Sequence, residues 1–226
     1  MKNIKIFIAL IFMSSLSATA QNKATQAADK HFAKYEFVEA IEDYNKLVEN
    51  GKADTYVYTQ LGEANYNIFN TVEAERWFSK SLETSQNAET IYKYSQMLKA
   101  NGKYKESNEQ MQRFASMRPG DDRAVAFQAN PDYLPKILEK GKKFNIQNLD
   151  INSENSDFGG TVNNGQFYFT SARNNARRNY GWNDQPFLDV YVSTILTDGT
   201  YQEADQVEGD INTKYHEGTV TFSPDG

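Results

Sequence analysis

The chain has 226 residues, a formal net charge of −6 and no cysteine. The missing thiols exclude disulfides, thiolate metal sites, a cysteine nucleophile and a lipid-modified N-terminal cysteine. The acidic balance argues against nucleic acid as a partner, because phosphate backbones attract basic surfaces. Aromatic residues make up 13% of the chain, which gives it rings enough to form a core rather than stay disordered.

The N-terminus reads as a cleavable signal peptide over residues 1–20. Lys2 and Lys5 form a positive start, residues 6–13 (IFIALIFM) an apolar run, and Ala18 and Ala20 the small positions before a cleavage site preceding Gln21. The apolar run is too short to cross a bilayer, which takes roughly 20 residues. Without Lys2 and Lys5 the charge balance becomes more acidic still. The expected location is the periplasm, in association with the outer membrane.

Residues 22–140 carry a helical pattern broken by glycines and Pro119. Three helix-opening runs align, and the small residues within them, Ala40, Ala74 and Ser107, recur about every 34 residues. Four positions beyond each stands a large side chain: Tyr44, Phe78 and Met111. Leu47, Ser81 and Phe114 follow three positions later. This is the period of a tetratricopeptide-like array, in which small residues let helices approach closely and several units must stack to bury a core. Leu61-Gly62 is the matching small contact on the first helix of the second unit, although Tyr94-Ser95 stands at that place in the third. A capping stretch follows at residues 121–128 and 131–140, with Asp121 as N-cap and a break before Pro131. Such arrays bind extended peptides along the first helix of each pair. The expected groove residues are Tyr56, Thr59, Glu63 and Tyr66, then Tyr92, Gln96 and Lys99. Several of these rings could equally serve packing between units.

From Lys143 the pattern changes to β-formers, asparagine and glycine. Expected strands are residues 144–149, 167–171, 188–196 and 217–223, with turns at Asn164-Gly165 and at Thr197-Asp198-Gly199. Gly160-Thr161-Val162 and Gly218-Thr219-Val220 match each other, which suggests a repeating blade lengthened by the loop after Ser171. Gly159-Gly160 marks a strand twist rather than a nucleotide site. Arg173, Arg177, Arg178 and Trp182 form a basic-aromatic cluster on a long loop, either a contact for an anionic polymer or acidic partner, or a solvated loop.

The segments "FYFTSAR" (167–173), Asp189-Val190-Tyr191 and "HEGTVTFSPDG" (216–226) resemble the WD40-like repeat of TolB-type propellers. The first blade departs from the motif, with Val162-Asn163-Asn164-Gly165 where the second has Phe222-Ser223-Pro224-Asp225-Gly226. With the helical repeats ahead of it, the chain resembles the N-terminal part of OmpA family proteins of Bacteroidetes, some of whose relatives serve type IX secretion. The resemblance implies an α+β multidomain protein: a tetratricopeptide-like array, then, over residues 143–226, the first blade or blades of a truncated β-propeller. It implies a non-enzymatic scaffold that binds envelope proteins, among them outer-membrane secretion components. Peptidoglycan would be held only through a C-terminal OmpA-like domain outside this sequence. The alternative is the substrate-filtering propeller of a serine peptidase whose catalytic domain lies elsewhere. No Gly-x-Ser-x-Gly elbow or phosphate-cradling loop occurs, and His31 and His216 have no second histidine or cysteine at ligand spacing, so no catalytic residue, metal or cofactor is expected.

Overall fold

The structure, a computed structural model, describes residues 23–131 and 133–225. The expected signal peptide and its cleavage point lie outside these residues. The architecture is α+β, with eight helices and a four-stranded antiparallel sheet among the described residues. The chain divides between Glu139 and Lys140 into a helical unit and a strand unit.

The helical unit runs α1 (23–33), α2 (Phe37–Glu49), α3 (Thr55–Asn67), α4 (Thr71–Leu82), α5 (Ala88–Ala100), α6 (Tyr104–Met117), α7 (Asp122–Ala129) and α8 (Tyr133–Glu139). The starts of α2, α4 and α6 recur about every 34 residues, and so do those of α3, α5 and α7. The caps differ between the two sets, except that α4 is capped by Asn70, whose side chain accepts the Glu73 N–H. Each of α3, α5 and α7 opens on a side chain that accepts a backbone N–H: Asp54 from Val57, Asn87 from Glu89 and Thr90, Asp121 from Arg123. By contrast α2 and α6 have no side-chain cap, and the turn before them supplies the order instead.

That turn is a Schellman motif, repeated. The N–H groups of Glu36, Asn70 and Lys103 donate to the carbonyls of His31, Asn65 and Leu98, and those of Tyr35, Phe69 and Gly102 donate to Phe32, Tyr66 and Lys99. The motif needs one residue in the left-handed region, and Tyr35, Phe69 and Gly102 take it at φ of 62°, 60° and 76°. Glycine adopts this conformation freely, whereas a residue with a Cβ is strained by about 1 kcal/mol.

Burial follows the period. Ala40, Ala74 and Ser107 are buried, as are Tyr44, Phe78 and Met111 one turn later. A Cβ on Gly62 would lie 2.5 Å from the Phe78 ring, so α3 and α4 meet at a distance only glycine allows. One repeat later, Ser95 stands in the same place between α5 and α6, and there Ser107 Oγ donates to its carbonyl at 2.8 Å. The core is a series of neighbouring clusters. One gathers Tyr44, Val57, Leu61 and Trp77, the next Ala74, Phe78 and Met97, and a third Ile91, Met111, Phe114 and Ala124.

In the strand unit, β1 (Asp157–Asn163), β2 (Gln166–Ser171), β3 (Asp189–Thr194) and β4 (Asp205–Gln206) pair antiparallel in chain order. Asn164 and Gly165 close the first hairpin at φ of 49° and 76°, the signature of a type I′ turn. The register of β1 shifts between Phe158 and Thr161, so Gly159-Gly160 is a β-bulge. A Cβ on Gly160 would strike the Phe167 ring. Ile151, Phe169 and Tyr191 form the apolar core.

Two expected strands do not form among the described residues. Residues 144–149 pair with no strand there, and Phe144 and Ile146 are 75% and 82% exposed. Their alternation therefore has no face to bury, and only Leu149 reaches the core. Residues 217–223 also lack a ladder. They keep one backbone bond, from the Glu217 N–H to the Leu188 carbonyl, and otherwise meet the sheet through side chains: Thr161 Oγ1 donates to the Val220 carbonyl at 3.2 Å, and the Phe222 ring lies 4.8 Å from that of Tyr168.

The strained turn makes a prediction about stability. Phe69→Gly relieves a left-handed phenylalanine that is 71% exposed and should stabilise the chain by about 1 kcal/mol. A lower midpoint in chemical denaturation would show that the ring packs where it lies.

Candidate functional site

The seven expected groove residues lie on α3 and α5 and fall into two groups. Tyr56, Thr59 and Glu63 are engaged within the array. Tyr56 Oη donates to Asp29 Oδ1 at 2.8 Å, and Tyr44 Oη donates to the same oxygen at 2.6 Å. Burial, then the bond to Asp29, pushes the Tyr44 phenol far above its usual range. Thr59 Oγ1 shares a 2.6 Å bond with Ser81 Oγ, and Glu63 pairs with Lys93 at 2.5 Å. These contacts tie α1 to α2 and α3, α3 to α4, and α3 to α5.

Tyr66, Tyr92, Gln96 and Lys99 line open space. Two adjoining clefts, of about 390 and 400 Å³, share Tyr92, Gln96 and Lys99. The first extends over Asn108, Met111 and Arg123 to Phe127, Asn130 and Tyr133. The second is closed by Tyr66 and Phe69. The turn before α4 positions Phe69, and the helical spacing of α5 puts Tyr92, Gln96 and Lys99 on one face.

The charges of the clefts are unequal. Arg123 grips both oxygens of Glu89 at 2.9 Å and Asp121 at 2.9 Å, over the rings of Tyr92 and Phe114. Side-chain and backbone hydrogen bonds from Arg123 hold the Asp121 carboxyl down at about 2. Arg123 is thus a fastener between α5 and α7, and its charge is locally balanced. Lys99 Nζ contacts Gln96 Oε1 at 3.4 Å and lies 5.3 Å from the centre of the Tyr133 ring. Phe69, Asn108, Arg123 and Tyr133 join the site, although helix spacing alone does not place them there. The readable sign is Phe69, a phenylalanine where the next repeat has Gly102.

On the strand unit, Arg173 and Arg177 turn inward. Arg173 pairs with Asp157 at 3.0 Å, donates to the Ile151 carbonyl, and covers the Phe169 and Tyr191 rings. Burial raises the Asp157 carboxyl, but hydrogen bonds from Ser171, Ser153 and Arg173 outweigh it and hold the group below its usual value. Arg177 pairs with the buried Asp189 at 3.0 Å and donates to the Tyr215 carbonyl. Asp189 is 1% exposed, and its other oxygen accepts from Asn174 and Gln206. Arg178 is exposed and Trp182 half-buried. The four residues therefore do not share one surface: two are held by carboxylates.

His216 stacks on Phe187 at 4.2 Å, and its Nδ1 accepts from the Leu188 N–H. Burial, then the nearby Arg177 charge, lowers its pKa, so the neutral ring is favoured. Among the described residues no group of three or more His, Cys, Asp or Glu side chains could hold a metal ion, and no helix is long and apolar enough to cross a membrane.

No protein-family model and no curated protein matches the chain.

The buried pair at the end of β3 yields a test. Asp189→Ala strands Arg177 without its carboxylate and should cost about 3 kcal/mol. Equilibrium unfolding followed by near-ultraviolet circular dichroism reads this, and a loss below about 0.5 kcal/mol would mean the pair is solvated.

Proposed function

We propose that this protein is a non-enzymatic scaffold of the cell envelope, exported to the periplasm and associated with the outer membrane. A tetratricopeptide-like array recruits a protein partner through the clefts on α3 and α5. A WD40-like, TolB-type propeller region adds a second face. In the longer protein that the sequence resemblance implies, an OmpA-like domain would tether the assembly to peptidoglycan. Envelope proteins, including outer-membrane secretion components, are the partner class.

The observation that carries this reading is the recurrence of whole helix pairs, with their turns, about every 34 residues. The same Schellman turn, a small buried residue and a large buried residue return at equivalent positions in each pair. A stack of equivalent pairs presents equivalent faces side by side, which is how solenoids build extended binding surfaces. Tyr66 on α3 and Tyr92, Gln96 and Lys99 on α5 lie on such a face.

The strand unit supports the second part. A four-stranded antiparallel meander in chain order has the layout of one blade. Thr219, the counterpart of Thr161 in the matching Gly-Thr-Val passages, lies beside Gly159, and Phe222 stacks on Tyr168. Both contacts go through side chains, as a following blade would pack, rather than through a fifth strand of the same sheet.

A photo-crosslinking amino acid at Gln96, in the full protein within its own envelope, should capture a discrete protein adduct. The same probe at Glu109, exposed on α6 and outside both clefts, should not. Equal adducts at both positions, or none at Gln96, would contradict the groove reading.

A further inference from the structure

We propose that the paired clefts select a peptide segment carrying a carboxylate beside an apolar side chain, with Lys99 taking the carboxylate and Phe69 packing on the apolar group. This deepens the scaffold reading and rests on it.

The first observation is a charge without a counterion. Three cations near α5 are matched: Lys93 by Glu63, Arg123 by Glu89 and Asp121, Lys103 by Glu75. Lys99 and Arg113 have no ion-pair carboxylate among the described residues; Arg113 contacts the amides of Gln86 and Gln110, whereas Lys99 lines both clefts. Its polar contact is the neutral amide oxygen of Gln96. A half-buried ammonium flanked by rings is less well hydrated than one in open water, so an incoming carboxylate gains more there than on an open surface.

The second observation is strain kept on an exposed ring. Phe69 holds φ of 60° and is 71% exposed. Gly102 fills the equivalent turn one repeat later without that cost. Tyr35 fills the turn one repeat earlier and is itself 62% exposed, but its ring meets Phe37 at 6.0 Å. Phe69 instead lines the second cleft beside Tyr66, Tyr92 and Lys99. Backbone strain that gains no burial points to a use for the side chain.

Size and polarity fit a peptide. Each cleft is within the range of ligand pockets, about 300–1,000 Å³. The amides of Gln96, Asn108 and Asn130 offer donors and acceptors to a peptide backbone without adding charge. A basic segment would find the aromatic faces favourable but would meet Lys99 at the point both clefts share. The apolar wall of Phe69 favours a peptide over a purely polar anionic polymer.

The test uses the full chain and three fluorescein-labelled peptides: acetyl-Gly-Glu-Phe-Glu-Leu-Gly amide and its counterparts with both glutamates replaced by glutamine or by lysine. Fluorescence anisotropy should show the acidic peptide binding about tenfold tighter than the glutamine one, and more weakly as salt rises. Lys99→Met should remove that tenfold preference, so that the acidic and glutamine peptides bind the variant alike. Phe69→Gly, which is expected to stabilise the fold, should weaken both peptides about fivefold, so that loss cannot be ascribed to unfolding. Equal affinity for all three peptides, preference for the lysine one, no binding of the acidic one, or an unaltered Lys99→Met protein would each overturn the proposal. A crosslink at Gln96 with no charge preference would overturn it alone and leave the scaffold reading standing; absence of the crosslink would remove that reading as well.

Discussion

The Phe78 ring occupies the space where a Cβ on Gly62 would stand. That contact sets how closely α3 and α4 approach, and much of the helical unit follows from it. Phe78 is fully buried there, and its ring forms an edge-to-face pair with that of Tyr66, centroids 6.2 Å apart. Tyr66 in turn forms a wall of the second cleft. Around the same contact, the small Ala74 opens room for Met97 from the next helix pair. Close approach, core and cleft are thus three consequences of one missing methyl group. Between α5 and α6 the same junction is made by a polar device, Ser107 bonding the carbonyl of Ser95, which tolerates a slightly larger residue.

The two units use different means to one end. Helix pairs satisfy their own backbone, so their joints are apolar contacts and terminal turns, with ion pairs such as Glu63–Lys93 and Arg123–Glu89 fastening one pair to the next. The strand unit is small, with an apolar core centred on three buried side chains. Two arginine–carboxylate pairs, Arg173–Asp157 and Arg177–Asp189, complete its interior. Such pairs cost solvation and return it only when intact.

How much was legible in the sequence depends on whether a signal is local. The helix period, the cap at Asp121, the Asn164-Gly165 turn and the glycine pair of β1 are set by residues within a few positions of each other, and all appear where expected. Residues 144–149 and 217–223 also carry β patterns, but a strand needs a partner, and pairing is a property of distant chain. The arginine loop misleads for a related reason. Composition shows Arg173 and Arg177 as charges on a loop, while their carboxylates, Asp157 and Asp189, lie on β1 and β3 to either side of it. In the groove, one-dimensional spacing puts Thr59, Glu63, Gln96 and Lys99 on helix faces, but only the three-dimensional neighbours tell a residue that joins helices from one that borders open space. Phe69 is legible only by comparing repeats, where Gly102 stands at the same turn, because a turn residue is ordinarily read for its backbone.

A close contact between α3 and α4, linked through Tyr66 to the second cleft, has a specific response to damage there. Amide hydrogen exchange on the full chain, comparing the natural protein with Gly62→Ala, measures it residue by residue. Protection should fall most in α3 and α4, fall less in α5, and stay unchanged in β2 and β3. Unchanged protection in α3 and α4, or an equal loss across both units, would contradict the dependence of the helical unit on the Gly62–Phe78 contact.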